Sequence, residues 1–133
     1  PPILAEEGLA AALQARLLTV EGRAGLKTEF KSEVQGRLPP AIEESLYRIA
    51  QEALNNCLKH AHARRIVVKV CRDEQAVTLI IADDGVGFDP ATARGRGGLG
   101  LSAMEERAAQ LGGRLSVNSK PDQGTEVRVE VCL

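Results

Sequence analysis

Residues 76–88 read AVTLIIADDGVGF, and the rest of the chain is best understood outward from them. Ala76 to Ala82 is apolar apart from Thr78, a short run that predicts a central strand of a sheet. The run ends in Asp83-Asp84 and passes directly into Gly85-Val86-Gly87-Phe88. A carboxylate at the end of a buried strand can point inward, and two glycines let a flat ligand or another backbone come close. Such a carboxylate suits an exocyclic amine like that of adenine. The simpler alternative is a hairpin turn with Asp-Gly chemistry.

Upstream, Ile66 to Cys71 predicts a partner strand joined through the turn Arg72-Asp73-Glu74-Gln75. A helix is predicted from about Ala41 to Ala61, opened by Pro39-Pro40, with Leu46, Ala50, Ala53, Leu54, Cys57 and Ala61 on its apolar arc. Before it come a short strand, Leu26 to Val34, and one helix from residue 3 to about 24. Downstream, a Gly-rich connection (83–98) leads to a helix from about Leu99 to Leu111. Strands Arg114–Ser119 and Thr125–Cys132 close the chain. The order αβαββαββ does not alternate strictly. It predicts an α+β, two-layer sandwich: a mixed, roughly five-stranded sheet covered on one face by about three helices.

Composition bounds the function. A chain of 133 residues and 14.2 kDa is expected to form a single domain, 1–133. Lys and Arg total 17 against 18 Asp and Glu, a net charge of −1, so the basic excess of nucleic-acid binders is missing. Phe30, Tyr47 and Phe88 are the only aromatics, too few for base-stacking platforms. No apolar run approaches the roughly 20 residues of a membrane-spanning helix and no signal peptide is visible, so a cytoplasmic location without direct membrane contact is expected. The start Pro1-Pro2-Ile3, without Met, suggests a fragment of a longer protein. Cys57, Cys71 and Cys132 form no C-x-x-C pair, and His60 and His62 sit far from Cys132 in sequence; the cysteines read as small buried hydrophobes in a reducing compartment.

Two further stretches carry chemistry. Glu52, Asn56 and Lys59, spaced i, i+4, i+7, fall on one helical stripe with His60 beside it. A carboxylate, a carboxamide oxygen, an ammonium and an imidazole suit a hydrated magnesium ion and a polyphosphate. A plain solvated face, with Arg48 and Glu52 as an i,i+4 pair, is the alternative. GRGGLGLS (95–102) is a Gly-rich loop opening a helix, whose amides suit phosphate. Gly95-x-Gly97-x-x-Gly100 matches the dinucleotide fingerprint literally, but no strand leads into it. There is no P-loop.

In this order the three stretches resemble the ATP-binding domain shared by histidine kinases, gyrase, Hsp90 and MutL, of the Bergerat-type fold. QEALNNCLKHA (51–61) resembles the N box, DDGVG (83–87) the G1 box and GGLGL (97–101) the G2 box, with Gly124-Thr125 at the closing Gly-Thr motif. RIAQEALNNCLKHAHA and GLGLSAMEERAAQLGG are similar to sensor histidine kinases of the nitrate-sensor type. Those kinases have an upstream four-helix dimerisation domain and response regulators with helix-turn-helix output domains. PPILAEEGLAAAL resembles the segment after their phosphoacceptor helices.

The resemblance implies roles by position. Asn56 would coordinate Mg²⁺, while Lys59 and His60 would face the phosphates or ribose. Asp83 would hold the adenine amine, and Gly85 and Gly87 would let the base approach. Residues 88–98 would form a lid, Gly98, Leu99, Gly100 and Leu101 would start the helix beneath the phosphates, and Thr125 would back the adenine pocket. Glu52 stands where ATP-hydrolysing relatives have a general base; in a kinase it would equally position a Mg-bound water. The implied activity is transfer of the ATP γ-phosphoryl group to a histidine on a separate helical domain, then to a response-regulator aspartate. His60 and His62 lack the following acidic residue that flanks a phosphoacceptor, so this chain, expected to be monomeric, would not label itself. An anti-sigma-type serine kinase of the same fold, or a non-catalytic nucleotide-binding or docking module, are the alternatives.

Overall fold

Strand formation follows alternation in the sequence. In the computed structural model, which describes residues 2–34, 36–89 and 100–133, five strands form one sheet in the order β1-β2-β3-β5-β4. They are β1 (Lys27–Glu33), β2 (Arg65–Arg72), β3 (Ala76–Asp83), β4 (Arg114–Ser119) and β5 (Thr125–Cys132). β1 runs parallel to β2, and the other neighbours are antiparallel. The apolar β3 is the central strand, as its composition predicts.

The helices are α1 (Pro2–Glu7), α2 (Leu9–Ala24), α3 (Pro40–Asn56) and α4 (Leu101–Gln110). One face of the sheet supplies Ile66, Val68, Val70, Val77, Leu79, Ile81, Val127, Val129 and Val131 to the core, all buried. Leu13 and Leu17 of α2, Leu46, Ile49 and Leu54 of α3, and Leu101 and Met104 of α4 cover it. Each such side chain contributes roughly 1.5–3 kcal/mol by leaving water. The intervening Val67, Lys69, Thr78 and Ile80 stay half-buried on the other face. This is the two-layer arrangement expected. No helix among the described residues is long and apolar enough to cross a membrane.

Two helices differ from the sequence expectation. The first is not one helix over 3–24: Gly8, at φ +97°, separates α1 from α2. The break is held by polar groups. Glu43, buried on α3, accepts the Leu9 N–H at 3.1 Å and pairs with Arg37 at 2.6 Å. Arg37 also donates to the carbonyls of Leu4 and Ala5, at the end of α1. Burial would raise the Glu43 carboxyl, but hydrogen bonds from Arg37 and Leu9 hold it below its ordinary value. A side chain on Gly8 would meet both Arg37 and Glu43.

The second difference lies at the end of α3. Cys57–Ala61 continues the helix as a π-helical turn and ends at His62 in the left-handed conformation. An i→i+5 turn takes an extra residue, so the row begun by Glu52 and Asn56 continues at His60, not at Lys59. The predicted i, i+4, i+7 stripe is therefore broken at its last member.

Candidate nucleotide site

The register of the central strands prepares the site. Asp83 at the end of β3 lies opposite Thr125 at the start of β5, two residues beyond the buried Ile81–Val127 pair and so on the same face of the sheet. The end of α3 crosses above them. Between these elements and the start of α4 is a cavity of about 500 Å³, including its open mouth. Asn56, His60, Asp83, Gly87, Leu101 and Thr125 line it together with Ala53, Cys57, Ile81, Phe88 and Val127. Apolar walls with a few convergent polar groups are the usual form of a small-molecule site.

Asp83 is held at both oxygens. The Cys57 thiol donates to Oδ2 at 3.2 Å, and the Gly85 N–H donates to Oδ1 at 2.8 Å. Burial, and secondarily the charge of Asp83 and its hydrogen bond, push the Cys57 thiol well above its ordinary value, so it remains protonated and a donor at neutral pH. Asp84 serves the backbone instead. Its Oδ1 accepts the Arg65 and Arg64 N–H groups at 2.9 and 2.8 Å, which hold its carboxyl below the ordinary range and tie the turn to the start of β2.

The turn after β4 closes the far side. Asp122 N–H donates to the Val86 carbonyl at 2.5 Å. Gly87 and Gly124 both have positive φ, and a Cβ at either would overlap a carbonyl oxygen, Lys120 O or Asp83 O respectively. The space Gly87 leaves is thus filled by the Lys120 carbonyl, a backbone approach rather than a ligand contact. Ser119 Oγ accepts the Phe88 N–H at 2.8 Å and donates to Gly124 O at 3.1 Å. Its one proton being used, the Thr125 hydroxyl 2.8 Å away donates to Ser119 and turns its lone pairs outward.

The remaining sequence candidates lie beside the cavity. Gly85 is buried behind Asp83. Lys59 is exposed on the π-helical turn and does not line the cavity. Glu52 packs against Gly100, the residue before α4, where its charge favours the helix start by about 0.3–1 kcal/mol. Gly98 and Leu99, with 90–97 of the expected lid, lie outside the described residues. Two residues of the site escape the sequence reading: Cys57, which periodicity assigns to the core although it falls within the 51–61 stretch, and Ser119, which lies in none of the quoted stretches. No three His, Cys, Asp or Glu side chains converge on a metal position among the described residues. The oxygens of Asn56 and Glu52, one helical turn apart, fit a hard cation such as Mg²⁺, which keeps waters and shares phosphate oxygens.

Residues 41–133 match the histidine kinase-, DNA gyrase B- and HSP90-like ATPase family. The chain belongs to that family. It is 36% identical over 127 residues to the signal transduction histidine-protein kinase/phosphatase DegS of Brevibacillus brevis, covering 95% of this chain and 33% of that protein. It is 38% identical over 122 residues to the sensor histidine kinase MctS of Rhizobium johnstonii, covering 90% of this chain and 26% of that protein. The chain therefore spans about a third or less of these relatives. Among solved structures, the histidine kinase domain of the Erythrobacter litoralis EL346 blue-light activated kinase superposes with a TM-score of 0.75 at 19% identity, over 92% of this chain and 58% of that one. Full-length ShkA in complex with AMPPNP superposes at 0.72 and 24% identity, over 92% of this chain and 29% of that one. Both show the same fold.

Proposed function

We propose that this chain is the ATP-binding catalytic domain of a two-component sensor histidine kinase. It binds Mg·ATP and donates the γ-phosphoryl group to a histidine on a separate dimerisation domain, for relay to a response-regulator aspartate. One observation carries the reading. Asn56, His60, Asp83, Gly87, Leu101 and Thr125, from separate segments that each resemble a nucleotide-binding box, line a single cavity. Asp83 receives the base amine at the apolar end of that cavity. Asn56 and His60 face the phosphate side, with the exposed Lys59 beside them and Leu101 at the start of α4 on the cavity wall. Mg²⁺, held through Asn56, would neutralise phosphate charge in the transfer. Glu52 serves as a positioning group for its waters or for α4. The reading rests also on kinship with proteins named as sensor histidine kinases.

Calorimetric titration tests it, using ADP, a non-hydrolysable ATP analogue, GTP and NAD, with and without Mg²⁺. Adenine-selective binding that strengthens with Mg²⁺ and is lost in Asp83→Asn is expected. A folded sample that binds no adenine nucleotide would refute the reading.

A further inference from the structure

Gly85 of the DDGVG stretch holds one oxygen of Asp83, and the neighbour that holds the other, Cys57, lies within QEALNNCLKHA without a role assigned to it there. A carboxylate has about four lone-pair sites, two on each oxygen. The Gly85 N–H occupies one on Oδ1 and the Cys57 S–H one on Oδ2, at 2.8 and 3.2 Å. Held at both oxygens, the carboxylate plane cannot swing about its terminal torsion, which in an unrestrained aspartate is broad. We propose that Cys57 is the positioning residue of the base subsite. Its thiol locks Asp83 so that the free lone pairs face the cavity, and this sets the preference for a purine with a 6-amino group over one with a 6-oxo group.

The inference rests on the nucleotide-site reading above. Its geometry is local to this chain. Cys57 is buried and lines the same cavity as Asp83, so the thiol sits between the core and the ligand space. The π-helical turn begins at Cys57, directly after Asn56. Thr125, opposite Asp83 in the register, has its proton engaged by Ser119. The subsite then presents acceptors toward the ligand, which suit an amine and repel a carbonyl oxygen. Were Cys57 only a packing residue, its loss would weaken all purines alike. As a positioning residue, its loss frees Asp83 to turn, and the amine's advantage shrinks while the rest of the binding energy stays.

The test is the ratio of ADP to IDP dissociation constants, by calorimetry, for the wild-type chain and for Cys57→Ser, Cys57→Val and Cys57→Ala. Circular dichroism and melting curves identify the folded variants, and Val fills the thiol's space if Ala proves unstable. Losing one weak donor should narrow the ADP preference about three- to tenfold in Val and Ala. Ser, which restores a hydroxyl donor, should keep the wild-type preference. An unchanged ADP/IDP ratio in a folded Val or Ala variant would overturn the proposal, as would a Ser variant that loses the preference with them. Asp83→Asn separates the two levels. If it abolishes ADP binding while the Cys57 variants keep the ratio, the positioning role alone falls. If it leaves ADP binding intact, the base-subsite reading falls and the proposal with it.

Discussion

Gly87 and Gly22 differ in what surrounds them, and the difference predicts opposite outcomes for the same substitution. Gly87 sits at φ +66° with the Lys120 carbonyl where a Cβ would be. An L side chain in the left-handed region costs about 1–2 kcal/mol before any clash, and here the obstacle is backbone. Gly87→Ala should therefore lower stability by about 2 kcal/mol or more and displace the 119–124 turn from the cavity wall, weakening nucleotide binding as well. Gly22, within α2, has no positive φ and nothing within 4 Å of the position a methyl would take. Gly22→Ala should raise stability by about 0.5–1 kcal/mol through helix propensity alone. Urea midpoints of the two variants check this pair, and equal effects would mean that the turn docking is not tight. The candidate residues are legible in the sequence to different degrees for the same reason. Asp83, Asn56 and the glycines stand in stretches that resemble nucleotide-binding boxes, and that resemblance is what singles them out in the sequence. Cys57 and Ser119 act through partners 26 and 6 residues away, and no local pattern reports such contacts.

Among the elements, the break between α1 and α2 depends on a single buried carboxylate. Glu43 is 3% exposed, whereas the Arg37 side chain is 45% exposed and can rehydrate if released. Removing Arg37 strands the acid in the core, so Arg37→Ala should cost about 1–3 kcal/mol at neutral pH. The sign with pH follows from the lowered Glu43 value. Stability from this pair is fully present above the ordinary glutamate value of 4.5 and is lost as pH falls through the lower folded value. The gap between wild type and Arg37→Ala should hence narrow below about pH 4.5. Denaturation at pH 7 and at successively lower pH would show it, and a gap constant across that range would contradict the account. This clasp explains why periodicity predicts one helix over 3–24 where there are two: the apolar spacing of Leu9, Leu13 and Leu17 is helical, but the break is imposed by residues 37 and 43. The π-helical turn is invisible likewise, since periodicity assumes a constant pitch. The strands are legible because their alternation is local and β3 has little polar to misplace.

At the scale of the whole chain, the sheet and its covering helices frame the candidate nucleotide cavity, and the question is where a phosphoryl group would go. Phosphoryl transfer requires an acceptor presented in line with the γ-phosphate. The two histidines both lie at the end of α3: His60 lines the cavity, and His62 terminates the turn in a left-handed conformation. Each is followed by alanine, without the acidic neighbour of a phosphoacceptor. Under the proposed function, a histidine that lines the cavity would contact bound phosphates rather than attack along the line of departure. The chain should therefore bind ATP yet incorporate little radiolabel from its γ-phosphate when incubated alone with Mg²⁺. If the proposed function holds, adding a helical phosphoacceptor domain should produce label on that domain, resistant to base and labile to acid as phosphohistidine is. Asp83→Asn should abolish it. Strong labelling of this chain alone, lost in His60→Gln or His62→Gln, would place the acceptor inside the fold and overturn the division of labour. Label stable to acid, on a serine of an added partner, would move the function to the serine-kinase branch. Either chemistry would use the same candidate site, so the acid stability of the product decides between acceptors that the cavity itself does not distinguish.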